Sequence, residues 1–552
     1  MPELKTMPEY KIRPTLSFAV GTLSQFLSCC LSKPATSGRR DQQGVGDIAL
    51  PWKEVICSGI AVSLLVLVSG CHVGPAYHAP TPQAVTAPNY KESTVNFHDA
   101  DGWKVASPQD AMLRGNWWEV FNDPELNALE EQLNINNENL KEYFQNYMAA
   151  RAQIAEARSQ YWPTITANPS WNRSKSSGTL NNSSQANVGK TSTLWSTPIE
   201  ASWTPDFWGK IRNEVHEAQY AAQVSAADLE VEKLTEQSSL AEFYFEIRGQ
   251  DMLQRILDET VAADKKSLDY NQAQYDTGVG DYISVAEAKT TYEAAQSAAI
   301  NVGVLRAQYE HAIAMLLGKI PSDFSIPVKP MLYTPPAIPT GMPSQLIERR
   351  PDIAAAERTL AEANATIGIG YGAFFPQVTI SASGGFESSA LTSLFNWPSR
   401  VWSLGPSVSQ TLFNGFLYRA ELHQYVAQYN ADLATYRQTT LIAFQQVEDG
   451  LSATRIYSQQ ILRQQQAVKD AQDYLSLELV RYNTGVDPYV DVVIAQTTLL
   501  TNQETLNSLQ VEEMTSAVEL VQALGGGWDR TQLPTPEQAG AKTINADYTL
   551  QK

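Results

Sequence analysis

Few residues in this chain could do chemistry. All four Cys stand at 29, 30, 57 and 71, so nothing after Cys71 can form a disulfide or a thiolate metal site with a second Cys. The six His residues, at 72, 78, 98, 216, 311 and 423, show no metal-ligand spacing. No nucleophile–base motif is present. Gly368-Ile369-Gly370-Tyr371-Gly372 lacks the phosphate-loop spacing and follows no strand, so it reads as helix packing. This points away from an enzyme and from any bound metal or cofactor. Two features remain: the thiol of Cys71, at the end of an apolar run, and carboxylates around a chain reversal at 482–491.

Residues 55–70 form 16 uncharged positions after Lys53, ending in Ser69-Gly70. A spanning helix needs about 20 residues; a short run closed by small residues is what a signal peptide has. Val68-Ser69-Gly70-Cys71 resembles a lipobox, the cleavage site of bacterial lipoproteins. That resemblance implies cleavage before Cys71 and acylation of its thiol and new amine, with two or more acyl chains giving a stable anchor. His72, rather than Asp, at the second mature position favours the outer membrane in such lipoproteins. The alternative is a short membrane anchor that Cys71 merely closes. The stretch before the run is longer than the roughly 15–30 residues of a whole signal peptide, which suggests a start downstream of Met1. Without residues 1–70 the net charge moves from −19 to −21, because that segment carries 7 basic and 5 acidic groups. So acidic a chain excludes a nucleic-acid partner, which would need basic surface.

The reversal lies in Arg481-Tyr482-Asn483-Thr484-Gly485-Val486-Asp487-Pro488-Tyr489-Val490-Asp491. Gly485 supplies the left-handed step that closes a helix, and Asp487-Pro488 reads as N-cap and first helical position. The same pattern stands 207 residues earlier, at Tyr275-Asp276-Thr277-Gly278-Val279-Gly280-Asp281-Tyr282. Upstream of each lies a stretch with no Pro and almost no Gly, 209–275 and 415–482. Each suits one helix of roughly 100 Å at about 1.5 Å per residue. In the second, Leu422, Val426, Tyr429, Leu433 and Tyr436 form a heptad-like seam. The return helices end at Leu316-Leu317-Gly318 and Ala523-Leu524-Gly525, again 207 apart.

The rest of the chain repeats too. Asn122-Asp123-Pro124 caps a helix expected to run to about Tyr161, and Trp162-Pro163 ends it. Alternating apolar positions then predict a strand over 164–171 and another over 194–203, joined by a polar loop. A helix after Arg349-Arg350-Pro351-Asp352 ends at Phe375-Pro376. Two further strands follow: Val378, Ile380, Ala382, Gly384 and Phe386 alternate in one; Trp402, Leu404, Pro406 and Val408 in the other. The expected organisation is 1–70 leader, 71–115 extended arm, 116–318 first repeat, 319–343 connector with seven Pro, 344–528 second repeat, and 529–552 polar tail. Trp at strand ends suits the aromatic girdle of a membrane barrel; a small soluble hairpin is the alternative for the first pair. Four strands cannot close a barrel, and open edges are not tolerated in lipid. Two copies give eight strands, whose interior side chains fill; three give twelve and room for water. The fold class is therefore an internally duplicated α+β membrane protein, four strands per protomer, built as a homotrimeric tube.

Cys71-His72-Val73-Gly74-Pro75-Ala76-Tyr77, Trp117-Trp118, Pro339-Thr340-Gly341-Met342-Pro343-Ser344, Arg349-Arg350-Pro351-Asp352-Ile353 through Ala356-Glu357, Phe374-Phe375-Pro376, Tyr482-Asn483-Thr484-Gly485 and Ala523-Leu524-Gly525-Gly526-Gly527-Trp528 together resemble the TolC/OprM-like outer-membrane factors, in their lipoprotein (NodT-type) branch. The resemblance implies a trimeric exit duct in the outer membrane that passes drugs or other small molecules. A periplasmic adaptor protein would link it to an inner-membrane efflux pump. It further implies a periplasmic gate at the second-repeat turn, with Tyr482 holding helices closed, Val490 an apolar constriction and Asp491 an acidic ring. The first copy carries Ile283 and Ser284 at the positions of Val490 and Asp491. A second acidic ring found in some members would fall on Ile494, and a basic residue of others on Asp487, so this chain departs from the pattern twice. Asp491 could instead be a first-turn acid that favours the helix dipole. A type I protein-secretion duct and a non-conducting structural lipoprotein stay as rivals; the lipobox and the Gly-Gly-Gly-Trp ending favour efflux.

Overall fold

A computed structural model describes residues 73–80, 90–94, 115–177, 190–330, 335–336, 338 and 348–540, all within one compact unit. The leader, Cys71, His72 and the 339–344 motif lie outside them.

Asp123 caps the first helix as its sequence predicts. Its carboxylate accepts the N–H of Glu125 at 2.9 Å, with Pro124 in the first turn. The single helix expected to reach Tyr161 is two: α1, Pro124–Asn136, and α2, Glu138–Ser159. Asn137 makes the break without Gly or Pro. Its N–H bonds Leu133 O, its Oδ1 caps α2 through Leu140 N–H, and its Nδ2 donates to Leu316 O at 3.0 Å. A tertiary contact, invisible to local propensity, holds it there.

The long helices follow expectation. α3, Lys210–Asp276, and α6, Leu417–Asn483, each have 67 residues; their return partners α4, Tyr282–Leu316, and α7, Tyr489–Ala523, each have 35. The second repeat opens with α5, Pro351–Gly372, packed on both α3 and α6. Its glycines are contact points: a Cβ on Gly368 would lie 2.5 Å from Asn213, and one on Gly370 2.8 Å from Tyr425. Helix packing is thus the role of that Gly-rich stretch. Gly209 enters α3 with φ 78°, and 207 residues later Phe416 enters α6 at φ 67°. A bulky side chain there is held in a backbone region that glycine occupies without cost.

The four expected strands form one antiparallel sheet, but the first two are each interrupted. The segments are β1, Thr164–Ala167; β2, Ser170–Lys175; β3, Thr191–Ser196; β4, Ile199–Trp203; β5, Gln377–Ser388; and β6, Arg400–Ser409. Asn168-Pro169 faces Thr197-Pro198 at the interruption, where proline has no N–H for the ladder. The pairing register passes through it unshifted, from Ala167↔Ile199 to Ser170↔Ser196, so no side chain changes face. β4 pairs with β5 and β5 with β6, leaving β1/β2 at one edge and β6 at the other. Register aligns Ile165, Ala201, Ala382 and Leu404 in one row and Ala167, Ile199, Gly384 and Trp402 in the next, all on one face. Thr166, Glu200, Ser383 and Ser403 share the other face. The apolar face is bare: Leu404 is 70 % and Trp402 78 % exposed. It runs from Val378–Val408 to Trp171–Trp195, about 33 Å along the strands at ~3.3 Å per residue. A barrel tilt of about 40° brings that near the ~25 Å apolar band of outer-membrane barrels.

The main core gathers Trp117, Trp118 and Phe121 against α1, α3, α4 and α7. Beside it Arg248 is wholly buried. It pairs with Glu125 at 2.7 Å and Asp251 at 3.2 Å and donates to Pro327 O at 2.7 Å. Arg306 holds the other oxygen of Asp251 at 2.7 Å. One guanidinium thereby ties α1, α3 and the connector together. In the second repeat Arg350 grips Asp352, Gln446 and the carbonyl of Ala523. The segment expected as a polar tail is docked as far as Gly540: Gln219 and Gln223 donate to Pro536 O and Pro534 O, and Arg530 reaches Glu357 at 3.1 Å.

Replacing Arg248 with Ala leaves Glu125 and Asp251 without that charge and should destabilise the protein by about 3–5 kcal/mol. Arg255→Ala, on the exposed α3 surface, should leave the thermal unfolding midpoint in detergent unchanged.

Candidate functional site: the helical tip

Each tip turn is closed by glycine in the left-handed region. Gly278 has φ 75° and Gly485 φ 74°. In both, the N–H of the next residue bonds back five residues, Val279 to Gln274 O at 3.0 Å and Val486 to Arg481 O at 2.9 Å, closing the helix end.

The next helix starts differently in the two copies. In the first, Asp281 caps α4 by accepting Ser284 N–H at 2.8 Å. In the second, Asp487 does not cap, contrary to the sequence reading: α7 begins one residue later, with Pro488 as N-cap and no side-chain bond. Asp487 pairs instead with Arg481, whose Nε and Nη2 both reach its carboxylate, the latter at 2.8 Å. This bidentate pair clasps the turn from outside. It holds the Asp487 carboxyl below its ordinary range. Burial, then Asp487, pushes the neighbouring Glu478 up.

Tyr482 closes α6 before Gly485, and Val490 and Asp491 lie in the first turn of α7 after it. The Tyr482 hydroxyl donates to Asn271 Oδ1 at 2.5 Å and also contacts Gln274 Oε1 at 3.1 Å, so α6 of the second repeat is tied to α3 of the first. Its ring lies 5.3 Å from that of Tyr489, which is buried with Val492 against Ala288, Leu268 and Leu479. Val490 is 43 % exposed on the other side of α7. Asp491 is half-exposed in the first turn, and its charge adds to those that raise Arg481 and Glu478. In the first copy the partner ring, Tyr282, is 65 % exposed, so the second turn is the one packed inward.

Four contributors were missed by sequence reasoning. Asn271 and Gln274 are polar residues in a polar helix, and nothing local marks them. The Arg481–Asp487 pair did leave a signal, opposite charges six apart across a glycine reversal. Asp264 is the fourth. It is 2 % exposed on α3, its Oδ1 has no partner, and burial alone raises its carboxyl to about 6. Among the described residues no group of His, Cys, Asp and Glu could hold a metal ion.

At the opposite end of the long helices, the arm after Cys71 is packed. Val73 N–H bonds Trp208 O at 3.2 Å, Asn364 holds Pro75 O at 3.1 Å, and Gly74 lies against Gly368. These contacts sit at the root of the sheet, where Trp208 stacks on Phe375.

A sheet with one apolar and one polar face, set on paired helices of about 100 Å, defines a channel of the outer-membrane class. The chain belongs to the outer membrane efflux protein family, whose sequence model matches residues 129–319 and 342–526. It is 28 % identical over 485 residues, 88 % of this chain and 98 % of the relative, to the probable efflux pump outer membrane protein TtgC of Pseudomonas putida. It is 30 % identical over 472 residues, 85 % of this chain and 98 % of the relative, to the solvent efflux pump outer membrane protein SrpC of Pseudomonas putida. The outer-membrane channel OprN superposes with a TM-score of 0.74 at 26 % identity, over 83 % of this chain and all of that one. The chain is thus an outer-membrane exit channel of an efflux system, with its helices extending into the periplasm.

Asp264 makes tip packing depend on pH. Its folded pKa of about 6 lies above the ordinary 3.8, so the ionised form opposes packing. That opposition builds as pH rises from about 4 to about 6 and is complete above. Asp264→Asn should therefore stabilise the tip at pH 7 by on the order of 2 kcal/mol and flatten this dependence. Slower hydrogen exchange in 475–495 at pH 7 would be the readout.

Proposed function

We propose that three copies of this chain close a twelve-stranded barrel, and that the resulting tube carries drugs or other small molecules from an inner-membrane pump and its periplasmic adaptor to the exterior. The observation that carries this reading is the four-strand apolar face with both edges unpaired. In lipid each edge must find a partner, and β6 of one copy beside β1 of the next supplies it. The exposed apolar residues of the long helices, Leu462, Leu477 and Val480 among them, support side-by-side packing of the same three copies.

In this proposal the second-repeat tips converge on the axis as the gate. Tyr482 latches α6 to α3, Val490 narrows the passage, and three copies of Asp491 form an acidic ring. The latch is polar and half-exposed, so it can open at small cost: a net hydrogen bond contributes about 1 kcal/mol. Cys71 carries the acyl anchor. The contacts of Val73 and Gly74 at the sheet's root support it, because they bring the chain to the membrane end of the helices.

Purified protein in planar bilayers should conduct poorly, and Tyr482→Phe should raise open probability about five-fold for one lost net bond. Asp491→Ala should also raise conductance. A wild type and variants that never conduct would remove the channel reading. An Asp491→Ala variant as closed as wild type would return that residue to the helix dipole.

Cys71→Ser should release only part of the protein from membranes washed with high salt or carbonate, since the strands still span. Complete release would count against the barrel.

A further inference from the structure

The unbroken register from β1 to β6 fixes which way every strand residue points. Along the first hairpin the lipid-side face reads Ile165, Ala167, Pro169, Trp171, then Arg173 and Lys175. Trp171 lies across from Trp195, their rings 5.7 Å apart. Such a pair marks the upper limit of the apolar band, as aromatic girdles do. Arg173 and Lys175 follow on the same face, on the side away from the helices, hence toward the exterior. At about 3.3 Å per residue and a tilt of about 40°, they stand roughly 5 and 10 Å above the tryptophans. That is the depth of headgroups, not of hydrocarbon.

Charge is sorted between the two faces. The strands' carboxylates, Glu200 and Glu387, pair in register with Ser383 and Ser196 on the polar face. The lipid-side face has Arg173, Lys175 and Arg400, and no carboxylate. Arg400 is covered by Trp397, 3.6 Å from its ring centroid. Arg173 and Lys175 are exposed, and no carboxylate bridges either among the described residues. Two uncovered cations on the lipid side of so acidic a chain, net −19, face the outer leaflet of an outer membrane.

We infer that Arg173 and Lys175 form a lipid-binding site that takes the phosphate groups of a phosphorylated glycolipid of the outer leaflet. Side chains two apart on one strand face stand about 7 Å from each other, so both reach one phosphomonoester. Arg supplies a fork and Lys a point charge. The trimer would carry three such sites, just above the tryptophan pairs. The inference rests on the sheet spanning the outer membrane.

The test measures retention of lipid A by the detergent-purified protein, using native mass spectrometry. Bisphosphorylated lipid A should bind wild type about 25-fold more tightly than its dephosphorylated form, from roughly five-fold per basic residue at a membrane surface. R173S/K175S should lose that preference, and the charge-preserving R173K/K175R should keep it. Equal binding of both lipids by wild type, or an unchanged preference in R173S/K175S, overturns the site. Bilayer conductance separates the two readings: a phosphate-blind wild type whose Tyr482→Phe form conducts sinks this site alone, whereas a wild type and a Tyr482→Phe variant that never conduct sink the channel it rests on.

Discussion

A strand edge inside lipid has nothing to bond with, because hydrocarbon offers no donors or acceptors. This sheet has two such edges, β1/β2 and β6, and an apolar face that register assembles from all four strand positions. Much else follows from that constraint. In the proposed assembly closure comes from further copies, and the number of copies sets the width of the lumen. Helices rooted on each copy must then share a cylinder. The proline interruption at 169 and 198 obeys the same rule: Asn168 N–H finds Pro198 O at 3.1 Å and Thr197 N–H finds Phe386 O at 3.0 Å, so the N–H groups beside the prolines stay paired.

The duplication keeps backbone and varies chemistry. Helix lengths agree to the residue, yet Gly209 is answered by Phe416 and the cap Asp281 by Pro488. The second change matters more. With Pro488 at the cap position, Asp487 is free to clasp Arg481, and Tyr489 is buried where its first-copy counterpart is exposed. Identical backbones thus yield one turn packed inward and one left on the surface.

The parts legible in sequence were those with long-range periodicity or a backbone requirement. The 207-residue repeat, the alternation in β5 and β6 and the left-handed glycines of both turns all appear where the sequence puts them. The misreadings have a common cause. Asn137, Asp487 and the 529–540 segment are polar stretches whose partners lie beyond the reach of local rules: Leu316 O for Asn137, Arg481 across the turn for Asp487, α3 for the tail. Local rules made the first a mid-helix residue and the second a cap, and of the third they showed only that it is a polar tail. The 349–357 block was conspicuous as a motif, but its work became visible only in space. Arg350 holds the end of α7 through Ala523 O, and Glu357 takes Arg358, Arg530 and the Tyr77 hydroxyl.

The two kinds of polar contact in the helices differ in what they permit. Around Arg248 the charges are multiply bonded and shared among α1, α3, α4 and the connector, and Arg248 and Asp251 are fully buried, so pulling α3 from its partners strands ions in a dry interior. At the tip the Tyr482 latch is half-exposed, and water can replace each bond as it breaks. Local stability should therefore fall from the middle of the helices toward the turns, as it does wherever a moving element must sit on a fixed one. Asp264 lowers it further by placing an unpartnered carboxyl beneath the latch. The proposed gate would draw on that arrangement: a buried, multiply bonded cluster in the helices, and beyond it a tip whose closed state is favoured by only a few small terms.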